Sequence, residues 1–282
     1  MNEDESQARS LGLGLLDASR IYEDFSIPRY EGRLRRRAVL DHRRLSIGLI
    51  GRQRRFLRAV YTLTDAGLGL EAIGPLRSMF EFLVCQRWLA LDPDRNWKLW
   101  VADDHAKRDV WRERLQRNTP ALHDAAAASR TPAQREEEEV IVAVRKRLSA
   151  ELGDRWRDEV PKIERQAELV GLSTIYDGLY RYESSAALHA TLLAIDLITE
   201  RRPGGLLLRR EPTAQFASLS PYLHGALLLY EALKDGAELA GALDVKELPS
   251  LGRDIYVLAE RYASTRMPNW RELLPAEAFS HT

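Results

Sequence analysis

Apolar residues recur at threes and fours along most of this chain, the spacing that lines one face of a helix. From about Arg29 to Thr64 the rule is kept by Val39, Leu40, Ile47, Ile50, Phe56, Leu57, Val60 and Leu63, and Asp65-Ala66-Gly67 ends the run. A second helix is predicted from about Glu71 to Leu91. Asp92-Pro93, an N-cap followed by proline at the first helical position, opens a third that carries Trp97, Trp100 and Trp111. Residues 118–131 read as a loop. Thr131-Pro132 starts another helix, with Glu136 to Glu139 early, where the helix dipole favours acids. Val160-Pro161 starts a shorter one, and residues 173–200 read as one helix rich in tyrosine. After Arg202-Pro203-Gly204-Gly205 the chain offers a short extended segment, Leu206 to Leu208. Helices are then expected from Ser220-Pro221 to about Leu243 and from Pro249 to Arg266. No strand-like alternation lasts long enough to build a sheet, which argues against Rossmann and hydrolase folds. The expected fold is all-α, a multi-helix bundle of mostly antiparallel helices with little or no sheet. A single domain is expected over residues 1–282. Its parts are an acidic segment (1–27), an Arg-rich helix (29–64), a motif-bearing core (69–200) and C-terminal helices (206–282).

Two apolar stretches are interrupted by polar residues. Arg77 and Glu81 sit four apart within Leu76-Arg77-Ser78-Met79-Phe80-Glu81-Phe82-Leu83-Val84. Ser185 and His189 sit four apart in the stretch that begins Tyr180-Arg181-Tyr182. Each pair shares a helix face. Charged side chains are seldom buried without a partner, so an internal polar site built from Arg77, Glu81, Tyr182, Ser185 and His189 is expected. His189 as general acid or base with Arg77 as anion clamp is one reading. A hydrogen-bonded network that ties helices together is the other. A serine hydrolase is disfavoured, because no Gly-x-Ser-x-Gly elbow is present. No histidine follows a glutamate by three residues, as di-iron bundles require, and neither a metal nor a cofactor is expected. His224, four residues after the capping Ser220, is a candidate supporting residue.

These motifs carry a resemblance. Arg77-Ser78-Met79-Phe80-Glu81, then Trp88-Leu89 and Asp92-Pro93, then the Tyr-rich helix with Ser185-x-x-x-His189 resemble a widespread bacterial family of helical proteins known as a domain of unknown function. The likeness spans roughly residues 60–200. It implies a helical fold and a shared polar site, and no activity.

Charge adds a second candidate. The chain is neutral as a whole, yet residues 29–58 hold eleven arginines against Glu31 and Asp41, and lysine is scarce. Guanidinium groups bind phosphate bidentately and release counterions. Arg35, Arg36, Arg37, Arg43, Arg44 and Arg54 are therefore candidate phosphate ligands, with RNA, DNA or a nucleotide as the ligand. The competing reading is a solvated helix face paired with acids. Arg37 to His42 also resembles the Arg-x(4–6)-His motif of helical ribonucleases of the higher eukaryotes and prokaryotes nucleotide-binding group. Such a pair recurs by chance in a chain with this much arginine. The single cysteine, Cys85, excludes an intramolecular disulfide and suits a reducing compartment. No apolar run nears the roughly 20 residues a bilayer needs, and the acidic start lacks the basic region of a signal peptide. A cytoplasmic, homo-oligomeric protein with no membrane partner is expected. It would be an effector or regulator that binds a phosphate-bearing ligand, with nuclease-like chemistry left open. The alternative is a non-catalytic helical interaction or scaffold module.

Overall fold

The computed structural model describes residues 3–22, 42–183, 199–202, 205–208, 219–240 and 246–266. The helices are α1 (Glu3–Ala18), α2 (His42–Asp65), α3 (Ile73–Leu91), α4 (Asn96–Asn118), α5 (Pro120–Ala128), α6 (Pro132–Leu152), α7 (Ile163–Leu169), α8 (Leu219–Ala240) and α9 (Leu248–Arg266). Short 3-10 turns lie at Arg20–Tyr22 and Trp156–Glu159. A single α-turn, Ser173–Ile175, runs into a π-helix, Tyr176–Glu183. The fold is all-α, as the periodicity predicts. Thr199–Arg202 and Gly205–Leu208 form a two-stranded antiparallel ribbon, with Thr199 opposite Leu208. The extended segment at Leu206 is thus present, and the helix expected to reach residue 200 does not extend that far.

Residues 118–131 are not a loop, since most of them form α5. Proline at its first position and a run of alanines give it strong intrinsic propensity, which outweighs the lack of an apolar stripe. Thr131 caps α6 as expected. Its hydroxyl accepts from the Gln134 amide at 3.3 Å and the Gln134 side chain accepts from the Thr131 amide at 2.8 Å. This is a capping box. Gly153, at φ +75°, ends the helix in a conformation that a Cβ disfavours. Asp92 caps the turn just before α4, accepting from the Arg95 amide at 3.2 Å.

The described residues cluster into two compact units. One is drawn from Met1–Phe25, Ser46–Arg87 and Ile163–Thr282, the other from Ser26–Leu45 and Trp88–Lys162. In the first unit α1, α8 and α9 pack on one another. Tyr61 of α2 donates to the Ala8 and Tyr222 carbonyls, at 3.3 Å each, tying α2 to α1 and α8. A Cβ at Gly12 would overlap the Tyr61 phenol, so glycine is what lets α1 come this close. The α3 residues Leu76, Met79, Phe80, Leu83 and Val84 are buried, and Gln86 donates to the Ala232 carbonyl of α8 at 2.8 Å.

Arg87, also on α3, reaches two carboxylates one turn apart on α8. Its Nε donates to Asp235 at 2.7 Å and its Nη2 to Glu231, which also accepts from Tyr256 of α9. All three charged side chains are at least four-fifths buried. Burial pushes the Asp235 carboxyl above its usual range, and Arg87 draws it back. Arg87→Ala would leave two buried carboxylates facing each other. It should cost about 3–5 kcal/mol, read as a lowered midpoint in urea denaturation.

In the second unit α4 packs on α5 and α6. Its inner half is apolar, with Trp97, Leu99, Val101, Ala102 and Ala106 buried. Toward its far end the joint to α6 turns polar. Arg112 bridges Asp109 and Glu138, Arg130 reaches Glu138 at 2.8 Å, and Arg145 pairs with Asp109.

Candidate functional site

The residues of α3 that interrupt its apolar run share one side. Leu76, Met79, Phe80, Leu83 and Val84 turn inward, while Arg77, Ser78, Glu81 and Phe82 keep solvent access. Arg77 and Glu81 pair at 3.4 Å with side-chain exposures of 25% and 42%. They therefore sit at the margin of the unit and not inside it, which corrects the expectation of an internal site. The reason is geometric: at 100° per residue, positions 77 and 81 fall just beyond the buried stripe. A pair this wet contributes about 0–1 kcal/mol.

The third member of the cluster is Tyr180. Arg77 Nη2 donates to its hydroxyl at 2.6 Å, and the guanidinium carbon lies 4.0 Å from the ring centroid. Tyr180 stacks on Tyr176 at 4.9 Å between centroids, and Arg181 lies 5.8 Å from the Tyr176 ring. The result is an Arg-Tyr-Tyr-Arg ladder along the π-helix, backed by the buried Phe80. Burial pushes the Tyr180 phenol above its ordinary range. Arg77 opposes the rise and Glu81 adds to it. Arg77 is thus held by one hydrogen bond, one ion pair and one ring.

Tyr182 belongs to the same π-helix, and Ser185 and His189 lie outside the described residues. Of the proposed phosphate ligands, Arg35, Arg36 and Arg37 lie outside them too. Arg43 and Arg44 fall within α2. Arg54 is fully buried and donates to the Ser19 hydroxyl, so it cannot face a polyanion in this structure. Among the α2 arginines whose side chains are described, Arg52, Arg55 and Arg58 face solvent. Their spacing of three was visible in the sequence, but the choice among eleven arginines was not.

The sequence reading also missed a buried histidine in the second unit. His105 is enclosed between α4 and α6. Its Nδ1 lies 2.7 Å from Arg145 Nη1 and its Nε2 3.4 Å from Glu138. An arginine can only donate, so the Arg145 contact makes Nδ1 an acceptor, while Asp109 also approaches Nδ1 at 3.3 Å. The i, i+4 pair His105 and Asp109 was the available signal. A shallow depression of about 620 Å³ nearby is lined by Asp103, Lys107, Arg155, Arg157, Asp158 and Lys162 among others. There Lys107 and Arg157 are taken up by Asp103, and Arg155 by Asp158. Its charge is therefore largely cancelled.

Among the described residues no group of three or more His, Cys, Asp or Glu side chains is placed to hold a metal ion. No helix among them is long and apolar enough to cross a membrane. Cys85 is buried, which pushes its thiol up to about 12, so it is chemically quiet at neutral pH.

The fold and the α3 motif thus define an all-helical protein with a surface Arg–Glu–Tyr cluster. The family of unknown function DUF5677 matches residues 43–205, more than half of the chain, and the chain belongs to that family. No curated protein and no solved structure matches it.

His224 of α8 keeps some accessible surface, yet its imidazole is enclosed, and burial holds it down to about 4. The folded protein refuses a proton that the unfolded chain accepts below about pH 6.5. Its contribution to stability is therefore complete at neutral pH and is lost as pH falls from about 6.5 toward 4. His224→Gln should flatten that limb of a pH–stability curve measured by urea denaturation.

Proposed function

We propose that the protein binds a phosphate-bearing polyanion, RNA in the first instance, through the solvent side of α2. The observation that carries this reading is the exposed series Arg52, Arg55 and Arg58, at steps of three residues. Each step advances about 4.5 Å along a helix, so the guanidinium groups are spaced on the scale of successive phosphates. Neither Arg52 nor Arg55 has a carboxylate partner among the described residues. This separates them from the arginines at 77, 87, 112 and 145, each of which is held by an acid. A guanidinium left without an internal acid keeps its full capacity for phosphate. A reducing cytoplasm suits both an RNA ligand and the lone buried thiol.

A second reading, an interaction module that self-associates, has its own support in the second unit. Trp111 is 58% exposed and α5 buries none of its residues, Leu122 included. An exposed tryptophan beside an unburied apolar helix suits a second copy of this chain.

Each reading has its own measurement. Arg52→Ala with Arg55→Ala should weaken RNA binding alike for all sequences, because phosphate contacts carry no sequence information. The double variant should also reduce the slope of log K against log salt by about 0.7 per lost contact on single strands. No binding of RNA, DNA or nucleotide at low salt would sink the reading. For self-association, Trp111→Glu should turn a dimer into a monomer in sedimentation velocity. A wild-type protein that stays monomeric at high concentration removes that second reading.

A further inference from the structure

We propose that the polyanion recognised at α2 is a single-stranded nucleic acid, whose bases stack on the Phe56–Phe82 pair beside the arginines. This rests on the polyanion reading above and adds the class of ligand. Phe56 stands on α2 and Phe82 on α3, both within the first compact unit. Their ring centroids are 5.6 Å apart with the planes tilted by 33°. Both residues keep some solvent access, whereas Phe80, two residues from Phe82 on the same helix, is fully buried. The Arg52 guanidinium carbon lies 5.1 Å from the Phe56 centroid. An arginine with no carboxylate partner among the described residues, over the ring of a partly exposed phenylalanine, forms a platform for a flat π-system and the phosphate attached to it.

The surroundings give the platform a direction. On α2 stand Arg52 and Arg55, which attract phosphate. On α3, the partly exposed Arg77 and Glu81 pair with each other, so their charges cancel. A strand crossing here lowers its free energy with its backbone toward α2 and its bases toward Phe82. A duplex offers the arginines its phosphates but keeps its base faces stacked inside, so the rings would contribute nothing to it. Free polyphosphate offers charge alone. Only a single strand satisfies both halves of the surface.

The test is fluorescence anisotropy of the full chain at low salt. The probes are a labelled short oligouridine and a duplex of the same length, with inorganic polyphosphate as competitor. The single strand should bind more tightly than the duplex. Phe56→Leu, which keeps an apolar side chain at the helix margin, should weaken the single strand by about tenfold. It should leave polyphosphate competition unchanged, while Phe56→Tyr retains binding. Phe82→Leu should act in the same direction and guards against a folding defect in the first variant. Equal binding of all three probes with no effect of Phe56→Leu would overturn the inference while leaving the polyanion reading intact. A Phe56→Leu loss shared by polyphosphate would also overturn it, since the ring would then act through packing. Binding of none of the probes, or binding indifferent to Arg52→Ala with Arg55→Ala, would defeat both.

Discussion

The rotation of α3 about its own axis is set at Arg87, and the candidate site depends on that setting. Leu76, Phe80, Leu83 and Arg87 follow one another at steps of four, three and four, so Arg87 extends the buried stripe. A guanidinium in that stripe can be buried only if carboxylates meet it, and Glu231 and Asp235, one turn apart on α8, both do. The pair adds little net stability compared with an apolar isostere, because removing three charges from water costs nearly what their attraction returns. Its weight lies in specificity. A slip of α3 by one residue would place Arg87 away from both acids and leave them buried together. With Arg87 held, Arg77, Glu81 and Phe82 fall on the side of α3 that keeps solvent access.

The same logic explains what could be read from the sequence. Apolar spacing located α2, and capping residues or prolines at Asp92-Pro93, Thr131-Pro132, Ser220-Pro221 and Pro249 marked α4, α6, α8 and α9 through local rules. These signals live in neighbouring residues. The loop reading of 118–131 failed because α5 buries nothing, and a helix with no core face leaves no stripe to detect. The long helix expected to residue 200 failed for a different reason. The backbone widens into a π-helix at Tyr176 and is in a strand at Thr199, and helical periodicity registers neither change.

The candidate site was legible in residue types and not in exposure. Arg77 and Glu81 were recognised as partners because the i, i+4 rule is local, and their ion pair is present. Their burial was misjudged because the surrounding letters are apolar, and a count of letters ignores the face each one takes. Tyr180, the partner that holds Arg77 from 103 residues away, could not be chosen over Tyr182 without the π-helical geometry. Among the arginines of α2, Arg54 and Arg55 are adjacent in sequence and opposite in fate: one is sealed against Ser19, the other is open to solvent. Charge density alone cannot separate them, since the difference is a rotation of about 100°.

That rotation also decides which chemistry the surface can offer. Across the first unit, arginines that point inward are matched by acids or hydroxyls on other elements: Asp235 and Glu231 for Arg87, Ser19 for Arg54, and Asp65 for the half-exposed Arg9. Such matching makes a guanidinium part of the fold. Arg52 and Arg55 escape it because neither meets a carboxylate among the described residues, and the Arg52 guanidinium lies over the ring of Phe56. An arginine over a ring keeps its charge and its hydrogen-bond donors free at the edge of the guanidinium plane. On α2 the arginine that folds the unit and those open to a ligand are thus the same residue type on the same helix, divided by whether the side chain turns into the core or out to solvent.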